Sequence, residues 1–81
     1  MSYYAYILFS DLIKKYYTGS CENPESRLHY HNSGWSQYTK QGVPWRIVKT
    51  FEVADKKSGR ELENKIKKRG AKRYLDDLEG K

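Results

Sequence analysis

Arg27 and His31 are a pair of side chains that can handle a phosphate, and they lie four residues apart. Residues i and i+4 of an α-helix project from the same face, one turn apart. Two cations repel each other, so an anion held between them explains the pair better than mutual stabilisation does. Guanidinium binds phosphate in a bidentate fork, and imidazole can transfer a proton near neutral pH. The pair therefore indicates a phosphate site, with a solvated helix face as the alternative. Arg27 alone would be an ordinary solvated residue, and His29, on another face, is expected to be a surface residue.

Two tyrosines, Tyr6 and Tyr17, fall near the middle of two segments that are predicted to be paired strands. Tyrosines at such positions usually serve in packing. A phenol can also bind a phosphate oxygen or transfer a proton, provided that a nearby cation draws off a proton whose ordinary pKa is about 10. Both interpretations stay open from these two residues alone.

An acidic side chain, Glu63, falls on or beside the inward stripe that Leu62 and Ile66 mark on a later helix. A carboxylate near a buried face needs a partner. Lys67, four residues on, would supply an ordinary helix ion pair. The alternative partner is a divalent cation, because Mg²⁺ accepts one or two protein carboxylates and completes its shell with water or phosphate oxygens. Glu63 is therefore a candidate metal ligand, with the ion pair as the competing interpretation.

The net charge of the chain is +6, and most of it lies in the second half. Residues 1–40 carry +1 and residues 41–81 carry +5. Such an excess attracts a polyanion, which favours nucleic acid over an acidic protein or a membrane surface; a basic surface that is merely solvated is the alternative. The cations predicted to hold the flanking nucleic-acid backbone are Lys40, Lys67, Lys68 and Arg73.

Three strands and three helices would have to position these residues, in the order β-β-α-β-α-α. The tyrosine-rich residues 3–9 and 16–20 are predicted to form an antiparallel hairpin. In the first strand Ala5, Ile7 and Phe9 would share one face and Tyr4, Tyr6 and Leu8 the other. The third strand is predicted over Trp45–Val53, following a loop over residues 34–44. Its residues Trp45, Ile47, Phe51 and Val53 are expected on a common face.

Helix boundaries are marked by capping residues. Asn23 followed by Pro24 predicts a helix that begins there and ends near Gly34. A second helix is predicted from Lys57 to the break at Gly70. A last short helix carries an apolar stripe, made of Ala71, Tyr74, Leu75 and Leu78, that can dock on the rest of the domain. These elements predict an α+β fold, a small three-stranded antiparallel sheet flanked by about three helices.

The size of the chain and its single cysteine exclude several classes of protein. A chain of 81 residues can bury one core, so a single domain over residues 1–81 is expected and a two-domain enzyme is excluded. Cys21 cannot form an internal disulfide or, alone, a zinc site, which fits a reducing compartment. The apolar N-terminal segment is too short to span a bilayer. We therefore expect a cytoplasmic protein.

Taken in order, these features resemble the GIY-YIG nuclease superfamily, in particular its short, single-domain bacterial proteins. Tyr4 stands in place of the first glycine of GIY and Ala5 in place of its isoleucine, a change of shape more than of chemistry. Thr18 replaces the isoleucine of YIG. The resemblance runs from Tyr3 to about Leu78. The matching segments are Tyr4-Ala5-Tyr6, Tyr17-Thr18-Gly19, Asn23-Pro24, Arg27 with His31, Asn32-Ser33-Gly34, Tyr38-Thr39-Lys40, Pro44-Trp45, and Glu63 before Ile66-Lys67-Lys68.

The resemblance implies a catalytic group and a reaction. By position, Tyr6, Tyr17, Arg27 and Glu63 match the family's catalytic residues, and His31 matches a frequent fifth member. It implies hydrolysis of DNA phosphodiesters with one Mg²⁺ or Mn²⁺ on Glu63. A chain this short would read a branched, nicked or damaged structure in DNA, or take its specificity from a protein partner or a second copy. The alternatives are a non-catalytic nucleic-acid-binding module on the same fold and an interaction domain for an acidic protein.

Overall fold

The computed structural model describes residues 2–80, and within them the chain forms three strands and three α-helices in the predicted order. The strands belong to one antiparallel sheet with the order β2-β1-β3, so β1 is central and β2 is an edge strand. The predicted fold class is therefore confirmed. The elements are β1 (Tyr3–Ser10), β2 (Lys15–Cys21), α1 (Pro24–Asn32), β3 (Trp45–Val53), α2 (Lys56–Arg69) and α3 (Ala71–Leu78), with a short 3₁₀ turn at Lys40–Gly42 before β3.

The helices begin at side chains that cap their free N–H groups. Asn23 accepts a hydrogen bond from the backbone N–H of Ser26 at 3.1 Å, ahead of Pro24 at the start of α1. Asp55 caps α2 in the same way, accepting from the backbone N–H of Ser58 at 2.8 Å. Each cap satisfies a donor that the helix itself cannot satisfy. The predicted starts of both helices are thus correct to within one residue.

Each face of the sheet packs against its own helices. On the α1 face the buried core consists of Tyr6, Leu8, Cys21 and Trp45. On the opposite face Ala5 and Ile7 pack with Ile66 of α2 and with partly buried side chains of α3. The predicted alternation of β1 is therefore correct for these four residues of β1, and it turns Tyr6 towards α1.

The prediction that Trp45, Ile47 and Phe51 share one face of β3 is wrong. Ile7 of β1 pairs with Lys49 and Leu8 pairs with Ile47, so the register shifts by one residue between them. One extra residue in a strand reverses the side-chain alternation beyond it. Trp45 and Ile47 consequently pack on the α1 face, and Phe51 packs on the α2–α3 face.

The loop between α1 and β3 is held to the core by side-chain hydrogen bonds. Asn32, at the end of α1, accepts from the backbone N–H of Trp45 at 2.6 Å and donates to its carbonyl at 3.0 Å. The Trp45 indole N–H donates to the carbonyl of Thr39 at 2.7 Å. Thr39 is thereby fixed beneath α1. Among residues 2–80, no helix has the length and apolar character needed to cross a bilayer.

Candidate active site

An open pocket of about 530 Å³ lies across the edge strand β2, between α1 and α2. Four of the five predicted catalytic residues line it, namely Tyr6, Tyr17, Arg27 and Glu63. They come from β1, β2, α1 and α2, so only the folded chain brings them together. The fifth, His31, is buried and lies behind Tyr6.

Gly19 allows Tyr6 to reach this pocket from the central strand. The two residues are direct partners in the β1–β2 register. A Cβ atom at Gly19 would lie 2.5 Å from the Tyr6 hydroxyl oxygen and 2.6 Å from its Cζ. A strand glycine often marks such a close approach. No role was predicted for Gly19 from the sequence, although its position after Tyr17 and Thr18 was the available signal.

Tyr6, His31 and Thr39 form a buried chain of hydrogen bonds. The Tyr6 hydroxyl oxygen and His31 Nε2 are 3.1 Å apart, and His31 Nδ1 and Thr39 Oγ1 are 2.9 Å apart. The three residues are 2%, 3% and 0% exposed. With the imidazole proton on Nδ1 donated to Thr39, Nε2 accepts from the phenol. A phosphate held between Arg27 and His31, as the sequence suggested, is not the arrangement found, because His31 does not line the pocket and lies behind Tyr6 and Tyr17.

Burial keeps both members of the Tyr6–His31 contact neutral. Burial, assisted by the Arg27 charge, lowers the pKa of His31 below its usual 6.5. Burial also raises the pKa of Tyr6 well above its ordinary value, with a smaller contribution from Tyr17, and Arg27 opposes this rise only in part. At neutral pH the phenol therefore keeps its proton and faces an imidazole able to accept one.

Glu63 lines the opposite side of the pocket, and both of its carboxylate oxygens have partners. Oε1 accepts from the Ser20 hydroxyl at 2.7 Å, and Oε2 accepts from Lys67 Nζ at 2.6 Å. The ion pair considered as an alternative in the sequence is thus present. The Glu63 side chain is still 19% exposed and faces the pocket.

The donor set around Glu63 fits a divalent cation that is shared with a substrate. Among the described residues no cluster of three or more His, Cys, Asp or Glu side chains could hold a metal ion by itself. Mg²⁺ needs only one or two protein carboxylates when water and phosphate oxygens complete its shell. Each carboxylate oxygen has a second lone pair beyond the one used by Ser20 or Lys67. Glu63 can therefore contribute to such a site if a phosphate is bound beside it.

The cations that line this pocket differ from those predicted to bind nucleic acid. Arg27, Lys56 and Arg60 line it, and the latter two were missed. Lys56 and Arg60 precede Glu63 on α2 by seven and three residues. This helical spacing puts them on the same face as Glu63 and could have predicted their position from the sequence. Of the predicted set, Lys67 lines a neighbouring groove. Lys40, Lys68 and Arg73 are exposed outside the pocket.

Comparison with known proteins identifies the family. The family model described as the GIY-YIG catalytic domain matches residues 2–75, and the chain belongs to this family. The chain is also similar to the solution NMR structure of the UPF0213 protein BH0048 from Bacillus halodurans. The two share 27% sequence identity with a TM-score of 0.58, over 100% of this chain and 86% of that one. A search of curated proteins gave no match. The resemblance drawn from the sequence motifs is thus confirmed.

Proposed function

We propose that this protein is a metal-dependent endonuclease that hydrolyses phosphodiester bonds in DNA. The observation that carries the proposal is the convergence of Tyr6, Tyr17, Arg27 and Glu63 on one pocket. The pocket also contains Lys56 and Arg60, so its three cations and single carboxylate suit a phosphate with one bound ion. Membership of the GIY-YIG catalytic domain family supports the same reaction.

The α1 side of the pocket would supply proton transfer and charge stabilisation. As water attacks phosphorus, its proton passes to the Tyr6 oxygen while the phenol proton passes to His31 Nε2, 3.1 Å away. This exchange avoids a free phenolate, which burial makes costly. The Arg27 guanidinium stabilises the charge that grows on the phosphate oxygens. Tyr17, which lines the pocket beside Tyr6, orients the water or a phosphate oxygen.

The α2 side would hold the divalent cation, Mg²⁺ or Mn²⁺. Ser20 fixes Glu63 Oε1 and orients the carboxylate towards the pocket. When bound there, the ion would act as a Lewis acid on the phosphate and the leaving 3′ oxygen. Lys67, paired with Oε2, is placed to neutralise the carboxylate when no ion is bound. Lys56 and Arg60 would bind phosphates beside the one that is cut.

We extend the proposal to a structure-selective role in DNA repair or recombination. A protein partner or a second copy could add specificity. We place the activity in the cytoplasm, where Cys21 would stay reduced. The second candidate function is a nucleic-acid-binding module without catalysis. The observation that favours it is the Glu63–Lys67 ion pair, which satisfies the carboxylate without a metal.

Cleavage assays on branched, nicked and linear DNA with Mg²⁺ or Mn²⁺ test the proposal. Glu63→Gln keeps an acceptor for Ser20 but loses the charge that holds the ion. We expect it to lower the cleavage rate by about 10³-fold or more, since a metal supplies several kcal/mol of transition-state stabilisation. Glu61→Gln, exposed on the same helix, is the matched control and should cleave normally.

Two results would contradict the proposal, the first its metal site and the second its nuclease activity. Cleavage by Glu63→Gln at the wild-type rate would remove Glu63 from metal binding. Wild-type protein that binds DNA tightly but cuts no member of the panel with either ion would establish the binding module instead.

A further inference from the structure

An aromatic side chain is left in solvent immediately beside the candidate active site. Tyr38 lies in the loop between α1 and β3 and is 81% exposed. Trp35, three residues earlier in the same loop, is 77% exposed. Rings of this size normally bury most of their apolar surface. Two of them exposed in one loop therefore suggest a ligand that covers an aromatic face.

The ring of Tyr38 is continuous with the active-site pocket through Tyr17. The centroids of the two rings are 5.7 Å apart, and the planes are tilted by 55°. Tyr17 in turn lines the pocket with Tyr6 and Glu63. Tyr38 is therefore one ring away from the site where a phosphate would bind.

Tyr38 lines two grooves, each of which carries one lysine and some polar side chains among aromatic and apolar ones. The first contains Tyr16, Thr18 and Lys67, and the second contains Lys15 and the amides of Gln37 and Gln41. Among the described residues, no aspartate or glutamate lines either groove. We call the Tyr38 ring and these two grooves the Tyr38 surface. It combines a stacking face with cations and hydrogen-bonding amides, as surfaces that bind single-stranded nucleic acid do.

We propose that the Tyr38 surface stacks an unpaired nucleobase from the DNA strand whose phosphate occupies the pocket. A base inside a duplex has both faces covered by its neighbours, so it offers no face to Tyr38. An unpaired base at a flap, gap or branch does offer one. The inference rests on the proposed function and narrows its substrate class to a phosphodiester that adjoins an unpaired base.

Binding in the absence of metal tests this inference without relying on cleavage. Fluorescence anisotropy in EDTA would compare a labelled single strand with a blunt duplex of the same length. Tyr38→Ala is expected to weaken single-strand binding by about 5- to 150-fold, the range that loss of one base–aromatic stack produces. It should leave duplex binding unchanged. Tyr38→Phe keeps the ring and should bind the single strand as the wild type does.

Leu78→Ala, which removes an exposed apolar side chain at the end of α3, is the matched control and should change neither affinity. Equal loss of single-strand and duplex binding in Tyr38→Ala would overturn the inference, and so would no loss of either. A shift from dimer to monomer in Tyr38→Ala, measured by analytical ultracentrifugation, would reassign the surface to contact between two copies. Tyr38-dependent single-strand binding by a wild type that cuts no DNA would uphold the stacking surface while refuting the nuclease.

Discussion

The two sides of β2 differ in most of the residues around the pocket, although the α1 side also carries one exposed cation, Arg27. On the α1 side Tyr6, His31 and Thr39 are almost fully buried and are joined by hydrogen bonds between neutral groups. On the α2 side Lys56 and Arg60 are exposed and charged. Glu63, between Ser20 and Lys67, is partly exposed as well.

This difference separates two tasks that a phosphodiester enzyme must perform. Buried neutral groups keep a fixed geometry, and proton transfer needs donor and acceptor at hydrogen-bond distance. Exposed charges can exchange partners between lysine, metal ion and phosphate without a large desolvation penalty. We infer that the α1 side is preorganised and the α2 side adapts to the substrate. Variants on the α1 side should therefore change the cleavage rate and the stability, and variants of the cations on the α2 side should change the salt dependence of DNA binding.

On the buried side, the largest effect is expected from Tyr6→Phe. Loss of a group that transfers a proton lowers the rate by about 10²- to 10⁴-fold. The same change leaves His31 Nε2 without its partner, so the free energy of unfolding should also fall by about 1–3 kcal/mol. Single-turnover cleavage and urea denaturation measure the two effects.

Tyr74→Phe is the matched control, since Tyr74 packs against Phe51 on the other face of the sheet. It should cleave DNA at the wild-type rate. If Tyr6→Phe also cleaved at that rate while folding normally, the buried chain would be structural and the division of tasks between the two sides would be wrong.

A smaller effect follows from the buried imidazole of His31. Its pKa is lowered from the usual 6.5, so the unfolded chain binds more protons than the folded one as the pH falls below that value. The free energy of unfolding should therefore decrease as the pH falls below 6.5, by at most about 1.4 kcal/mol per pH unit. The pKa values of three carboxyl groups are lowered from 3.8, so the stability that their ionised forms contribute is lost only at lower pH. These groups are Asp11, Asp55 and Asp77.

Urea denaturation at a series of pH values would measure this dependence. His31→Gln has no titrating group and should lose the part of the slope that begins near 6.5. His29→Gln, at an exposed position of the same helix, is the matched control for the substitution itself. A slope that survived in His31→Gln would assign the pH dependence to another group.

Local rules predicted the order of the elements, the caps of the helices and the inward direction of Tyr6 from β1. They failed where the outcome depends on a neighbouring element. The period-two pattern of β3 assumed no inserted residue, and the bulge beside Ile47 broke it. Helical spacing placed His31 near Arg27 but could not show that Thr39 and Tyr6 would enclose it. The assignment of one domain to residues 1–81 and the catalytic roles stay predictions.

The basic side chains expected to bind nucleic acid were predicted from their density along the sequence, and this did not point to the cations that line the pocket. Arg69 is paired with Asp77 and Lys72 with Asp76, so part of the C-terminal excess is neutralised within the fold. Lys56 and Arg60 lie where the sequence is less basic, but their spacing from Glu63 directs them into the pocket. Helix phase relative to Glu63 therefore indicates which cations of α2 line the pocket, whereas local charge density does not.

The smallest effect is expected from Arg60→Ala, on the exposed side. If Arg60 binds one DNA phosphate, its loss should reduce the slope of log K against log salt concentration by about 0.7–0.9. The penalty of raising salt from about 50 to about 200 mM would then shrink roughly threefold. Lys65→Ala is the matched control, because Lys65 is an exposed cation of α2 that does not line the pocket, and it should keep the wild-type slope. Tyr6→Phe should keep that slope too, because a neutral phenol releases no counterion. Equal slopes in Arg60→Ala and Lys65→Ala would mean that Arg60 does not bind a phosphate of the DNA in the pocket.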